Sequence, residues 1–151
     1  MAQFLNHDDL SFHFHRLMTQ AQKKLILVTP VLKFNKKFKQ LLEIKNNSAA
    51  EIKVIYGISR LSNDEMKFLK NLEFVHNSVC NDLHASIFLN EHKCIIGGLN
   101  LHEFYTPEKG ALGVLLNAKQ DADAYQNAYQ HALELTKISS TVTIAFARTF
   151  S

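Results

Sequence analysis

Leu83-His84-Ala85-Ser86-Ile87-Phe88-Leu89-Asn90-Glu91-His92-Lys93-Cys94-Ile95-Ile96-Gly97-Gly98-Leu99-Asn100 is the stretch on which the fold turns. Two short apolar runs, 83–89 and 92–97, flank Asn90-Glu91, a spacing that predicts a β-hairpin with a two-residue turn. Asn tolerates the positive φ such turns need, whereas Glu is a poor second member. Side chains two apart on a strand share a face, so His84 and Ser86 are expected side by side. With this turn, Lys93 pairs with Phe88 and shares the face of Ser86, and diagonal neighbours of that kind lie about 7–8 Å apart.

Strand and helix patterns alternate on both sides of the hairpin. Leu10, Phe14, Leu17, Met18 and Ala21 fall at helical spacing within residues 7–22, with Asn6 or Asp8 available as N-cap. Lys24 to Val28 is a short apolar run ending at Thr29-Pro30, as in a buried strand. Phe34, Phe38, Leu41 and Leu42 mark a second amphipathic helix, and Ile52, Val54 and Tyr56 alternate as a strand up to Gly57. Ser62-Asn63-Asp64-Glu65 is a capping box that opens a helix reaching Leu72, and 73–79 follows as a strand. Beyond the hairpin, 111–116 reads as a strand, 121–138 as a long Ala- and Gln-rich helix, and the tail 141–146 alternates like a strand. The pattern predicts an α/β fold, a mixed and mostly buried sheet flanked by helices, in one domain over 1–151.

Composition narrows the function classes. The chain has 151 residues, 46% hydrophobic and 21% charged, which suits a globular domain with a sizeable core. A formal net charge of +3 gives mild attraction to polyanions, far from the charge blocks of a dedicated nucleic-acid tail. Cys80 and Cys94 stand fourteen apart without a C-x-x-C pair and read as reduced thiols. No apolar run approaches the roughly 18–20 residues that cross a bilayer, and 1–9 has no signal-like apolar region, so a cytoplasmic protein is expected. His7, His13 and His15 do not form a metal set, since residues two apart on a helix face different ways.

The central stretch resembles the signature of the phospholipase D-like superfamily: H-x-K, four residues, an acidic residue, then G-S-x-N. His84, Glu91, Gly97 and Asn100 fall into that frame, while Ser86 stands at the lysine position and Gly98 at the serine. Residues 25–32 and 51–57 look like the family's first two strands, and Asn100-Leu101-His102-Glu103-Phe104 is similar to the N-L-Y-E-F continuation of a bacterial branch. The resemblance covers about residues 20–135. It implies a phosphodiester chemistry without metal or cofactor. One motif histidine attacks phosphorus to form a phosphohistidine, a second protonates the leaving oxygen, and the motif Lys and Asn hold the non-bridging oxygens. Members with a single motif pair into a homodimer, so the resemblance implies a two-fold dimer here, with both His84 residues at the axis.

The departures bear on activity. A phosphodiester in transit concentrates negative charge on its equatorial oxygens, which fixed cations and N–H donors stabilise. Ser86 replaces the cation with a short neutral hydroxyl. An acidic residue that helps orient the histidine in single-motif relatives is Ala111 here, with Glu108 three residues earlier. Losing one transition-state donor costs about 10²–10³ in rate, and losing the group that orients a catalytic histidine on the order of 10⁴.

The expectation is therefore a catalytically degenerate domain, a homodimer that binds a phosphodiester such as nucleic acid or acts as a structural partner. Its phosphate-binding candidates are Ser86, Gly97, Gly98, Asn100 and Lys93, around a vestigial His84 and Asn100 pair. The alternative is an active metal-independent phosphodiesterase or nuclease with His84 as nucleophile, aided by Lys93, Glu103 or Glu108. An exposed hairpin lysine is the plainer reading of Lys93. A membrane phospholipase ranks third, because no lipid anchor or amphipathic membrane helix is present. Lys33, Lys36 and Lys37, interleaved with Phe34 and Phe38, read either as a nucleic-acid-facing helix or as an amphipathic helix with Phe inward and Lys solvated.

Overall fold

The hairpin lies at the middle of a seven-stranded sheet. In the computed structural model the described residues are 1–48, 50–98 and 110–150, with side chains described as far as residue 138. Among them the elements run β1 (Gln3–Leu5), α1 (His7–Gln20), β2 (Lys24–Leu32), α2 (Lys36–Asn47), β3 (Glu51–Ser59), α3 (Asn63–Lys70), β4 (Val75–Val79), β5 (Ser86–Asn90), β6 (Lys93–Gly97), β7 (Gly113–Asn117) and α4 (Ala122–Phe150). The sheet order is β1-β7-β6-β5-β2-β3-β4. β2, β3 and β4 are parallel, whereas β5, β6, β7 and β1 join antiparallel, so the α/β reading with a mixed sheet holds.

The helices start where their caps dictate. Asn6 takes the N-cap of α1: its side chain accepts from the Asp9 N–H at 2.9 Å, and the Asp9 carboxylate accepts from the Asn6 N–H at 3.1 Å. The Ser62–Glu65 capping box forms in the same reciprocal way. One sheet face buries Phe14, Leu17 and Met18 of α1, Phe38 and Leu42 of α2 and Leu69 of α3 against Leu27, Val54 and Phe88. The other face packs Ile26, Val28, Leu89, Cys94 and Leu116 against Tyr125, Ala128 and Ala132 of α4. A buried parallel strand needs apolar residues on both faces, which is why β2 reads as a continuous run rather than an alternation.

Four expectations are corrected. β2 runs past Pro30 to Leu32. Pairing with β5 ends at Val28, so the missing proline N–H costs nothing on that side, and the β3 register resumes at Val31–Ile58. β1, three residues long, is too short to show a period. The tail 141–146 continues the α4 backbone, because no Gly or Pro stands between 122 and 150 and propagation adds one hydrogen bond per residue fixed.

The hairpin turn is the fourth. Leu89 pairs with Cys94 and Phe88 with Ile95, so the turn residues are Glu91 and His92 and not Asn90 and Glu91. Asn90 is fully buried, and its side-chain oxygen accepts the N–H groups of His92 and Lys93 at 2.8 Å each. Its amide donates to the Leu17 carbonyl at 2.9 Å, and its own carbonyl accepts the Tyr125 hydroxyl at 2.5 Å. A residue holding both layers to the sheet belongs to the strand.

Beside it, the Glu91 carboxylate accepts the N–H groups of Gln22, Lys23 and Lys24 at 2.9, 2.5 and 3.2 Å. On the same connection, Lys45 is buried and donates to the Thr19 and Ala21 carbonyls at 2.8 Å each. Cations are favoured at a helix C-terminus, where carbonyls lack intrahelical partners. Burial works against ionisation of Glu91, but the three backbone donors outweigh it and hold the carboxyl below the usual range. Its stabilisation is therefore present above the unfolded value of about 4.3 and is lost as pH falls through the lower folded value. Glu91→Gln should cost about 1–2 kcal/mol at pH 7, allowing for partial exposure, and the gap to wild type should close below that range in denaturant titrations.

Candidate functional site

β2, β3 and β4 end on one side of the sheet, where Pro30 and Val31, Gly57 and Ile58, and the loop 81–84 enclose a cleft of about 570 Å³. In open α/β sheets ligands bind outside the carboxyl ends of parallel strands, where connections diverge. β2 is such a place, with parallel β3 on one side and antiparallel β5 on the other. Gly57 keeps the cleft floor tight: a Cβ there would meet the Pro30 carbonyl oxygen at 2.9 Å. Asp82 adopts φ 67°, a left-handed conformation that Asp tolerates, and turns the chain back toward β5.

His84 lines this cleft and is exposed. β5 begins only at Ser86, so His84 stands in the loop before the strand and does not share a strand face with Ser86 as expected. Ser86 itself is fully buried, paired with Gly97 on the side of the sheet that carries Phe88 and α1. The neutral residue at the lysine position is thus sealed into the sheet while the histidine faces solvent.

The remaining motif positions divide between architecture and surface. A Cβ on Gly97 would meet the Leu112 carbonyl oxygen at 2.8 Å, so the glycine is needed for the close approach of β6 to the chain entering β7. Gly98 is exposed, with open space around it among the described residues. Ala111 packs, partly buried, against the α1-side core. Asn100, Glu103 and Glu108 lie outside the described residues. Lys93, set opposite Asn90 by the shifted turn, is four residues along the strand from Ser86, or about 13 Å. It does not supply charge beside Ser86; the register that fixes Asn90 in the strand carries it away.

Lys33, Lys36 and Lys37 are exposed, while Phe34 and Phe38 are buried. The phenylalanines pack inward as an amphipathic helix requires, with ring centroids 5.6 Å apart. Lys36 and Lys37 nonetheless occupy the first turn of α2, which has no acidic residue. Positive charge there opposes the helix dipole, so helix stability is not what favours those lysines.

The sheet face that carries α4 is not fully covered. Phe4 pairs with Val114 and Val114 with Ile96, forming a row across β1, β7 and β6. These side chains are 65%, 38% and 36% exposed. Cys94, by contrast, is buried beneath that face, and burial pushes its thiol up to about 12, so it is a packing residue rather than a nucleophile. Sequence reasoning missed Asp82 and the apolar row. An Asn81-Asp82 pair is a turn signal, but the row exists only through cross-strand register.

The arrangement is the phospholipase D fold. The structure superposes on Nuc, a phospholipase D family member from Salmonella typhimurium, with a TM-score of 0.66 at 9% identity, covering 89% of this chain and 95% of that one. NucT from Helicobacter pylori matches with a TM-score of 0.67 at 9% identity, covering 89% and 96%. TrmBL2, an archaeal chromatin protein described as showing a novel mode of DNA binding, matches with a TM-score of 0.60 at 7% identity over 89% of this chain and 53% of its own. No protein-family profile matches the sequence, and no curated protein does.

Proposed function

We propose that this chain is a catalytically degenerate phospholipase D-like domain that works as a homodimer and binds a phosphodiester, with nucleic acid as the ligand. The observation that carries the reading is the separation at the cleft: His84 is exposed there, while Ser86, at the place of the cation, is neutral and buried. Among the described lining residues there is no Lys or Arg, and Asp82 contributes a carboxylate. A transferring phosphoryl group gains little from such walls, because the charge it develops meets no fixed cation. Binding is served by other features, the exposed Lys33, Lys36 and Lys37 after β2, on the side of the sheet where the cleft opens. The DNA-binding description of TrmBL2 supports a nucleic-acid ligand, and the row Phe4–Val114–Ile96 supports a second copy, since it is an apolar strip ending next to the Gly97 end of β6.

Three measurements test this reading. Metal-independent hydrolysis of bis-p-nitrophenyl phosphate in EDTA should be indistinguishable between wild type and His84→Ala; strong wild-type turnover that His84→Ala abolishes would make the protein an active phosphodiesterase.

Single-stranded oligonucleotide affinity should fall steeply with salt, because each phosphate contact releases counterions. Replacing Lys36 and Lys37 together with Ala should reduce the slope of log K against log salt by about 1.4, about 0.7 for each contact to a single strand. An unchanged slope would remove α2 from the interface.

Sedimentation equilibrium should give twice the chain mass for wild type and a shift to monomer for Val114→Lys, which places a charge in the apolar row. A wild-type monomer at high concentration would refute the dimer.

A further inference from the structure

At the turn end of the hairpin, away from His84, three basic side chains from two elements converge on a small cavity. His13 and Arg16 come from α1 and Lys93 from the start of β6, with Gln3 and Gln20 completing a pocket of about 120 Å³ floored by Leu17 and Leu115. We infer that this pocket is a second anion site, built to seat one phosphate group between the Arg16 guanidinium, the Lys93 ammonium and the His13 imidazole. Its volume leaves room for a tetrahedral oxyanion.

The charges converge without compensation. Among the described residues no carboxylate lines the pocket, and neither Arg16 nor Lys93 forms an ion pair. Asp9, one helical turn before His13, is the acid that faces it electrostatically, and its carboxylate is engaged by the Asn6 N–H. The basic groups are also braced. Arg16 stacks over the Phe12 ring at 5.6 Å, and His13 meets the same ring edge-on at 5.1 Å. This gives the 57% exposed Phe12 a role as a shelf that limits the freedom of both side chains before a ligand arrives. Arg adds a planar fork suited to two phosphate oxygens, Lys a point charge, and the two glutamines neutral donors.

Burial, then the Arg16 and Lys93 charges, depress the His13 imidazole, with Asp9 opposing them. An anion seated among the three groups reverses the electrostatic part of that balance and draws a proton onto His13. Gln20 also lines a neighbouring open cleft of about 720 Å³ that includes Gln22, Ser48 and His92. The phosphate can therefore be free or carried on a larger molecule lying along that cleft. The inference does not rest on the reading of His84, which lies before the other end of β5.

Imidazole NMR titration of the full chain decides it. Inorganic phosphate at constant ionic strength should shift His13 saturably and raise its pKa, whereas chloride at the same ionic strength should not. Arg16→Gln with Lys93→Gln should weaken phosphate at least about tenfold, as expected for losing charge-assisted hydrogen bonds, with His84→Ala unchanged. Arg16→Lys, which keeps the charge but not the fork, should fall between and guards against loss of fold. A short single-stranded oligonucleotide that competes with phosphate, and loses affinity in the double variant, identifies a nucleic-acid phosphate as the occupant. Phosphate binding that the oligonucleotide leaves untouched identifies a small phosphorylated molecule. A non-saturating His13 response, or one equal in the double variant, overturns the site.

Discussion

The carboxylate of Glu91 and the side chain of Asn90 fix the junction between α1 and β2, and the rest of the sheet depends on that junction. β2 is the strand where parallel and antiparallel halves meet, so its register against β5 sets the face on which every other strand presents its side chains. A one-residue slip would turn the whole apolar set to the wrong side. Glu91 receives three consecutive backbone donors at 22–24, and Lys45 neutralises the carbonyls at 19 and 21 from the other direction. The chain reverses between α1 and β2 with its orphan polar groups matched by an anion and a cation, the condition under which such groups can be withdrawn from water. Asn90 extends the lock to both layers, through Leu17 below and Tyr125 above.

This constraint accounts for much of the motif. Glu91 and Gly97 fall in the stretch that resembles the phospholipase D signature, and each is explained by contacts within the domain, one by backbone amides and the other by the approach of a neighbouring carbonyl. Ser86 is a buried strand residue. His84 is different, because it lies in the loop after the left-handed Asp82 and meets solvent at the strand ends. Folding contacts and solvent exposure thus fall on different residues of one stretch, since the two demands act on different atoms.

Electrostatics are distributed in the same way. The His84 cleft has no cationic lining among its described residues, whereas basic groups gather after β2 at α2 and, at the opposite end of the hairpin, beside α1. The exposed lysines of α2 steer anions without lowering a reaction barrier, because water screens them and leaves them mobile, whereas the groups beside α1 are braced by Phe12.

The alternation of strand and helix patterns was enough to predict an α/β sheet flanked by helices, because burial on two sides leaves β2 a continuous apolar run over Leu25–Val28 while β3 keeps an alternation around Lys53. The cap Ser62 was legible for a similar reason, and that of α1 was narrowed to Asn6 or Asp8: an N-cap satisfies backbone donors only three residues away. The hairpin turn was not legible. Asn90-Glu91 suits a turn locally, and only the far partners Leu17 and Tyr125 draw Asn90 into the strand and shift the turn by one residue to Glu91-His92. The same long-range register carried Lys93 from the neighbourhood of Ser86 to that of Arg16, and it assembled the row Phe4–Val114–Ile96 from three separated segments. The sequence by itself determined the elements and the residue types of the motif, since these follow from spacing along the chain. Tertiary structure alone decided which of those residues meet, because register and burial are properties of pairs distant in sequence.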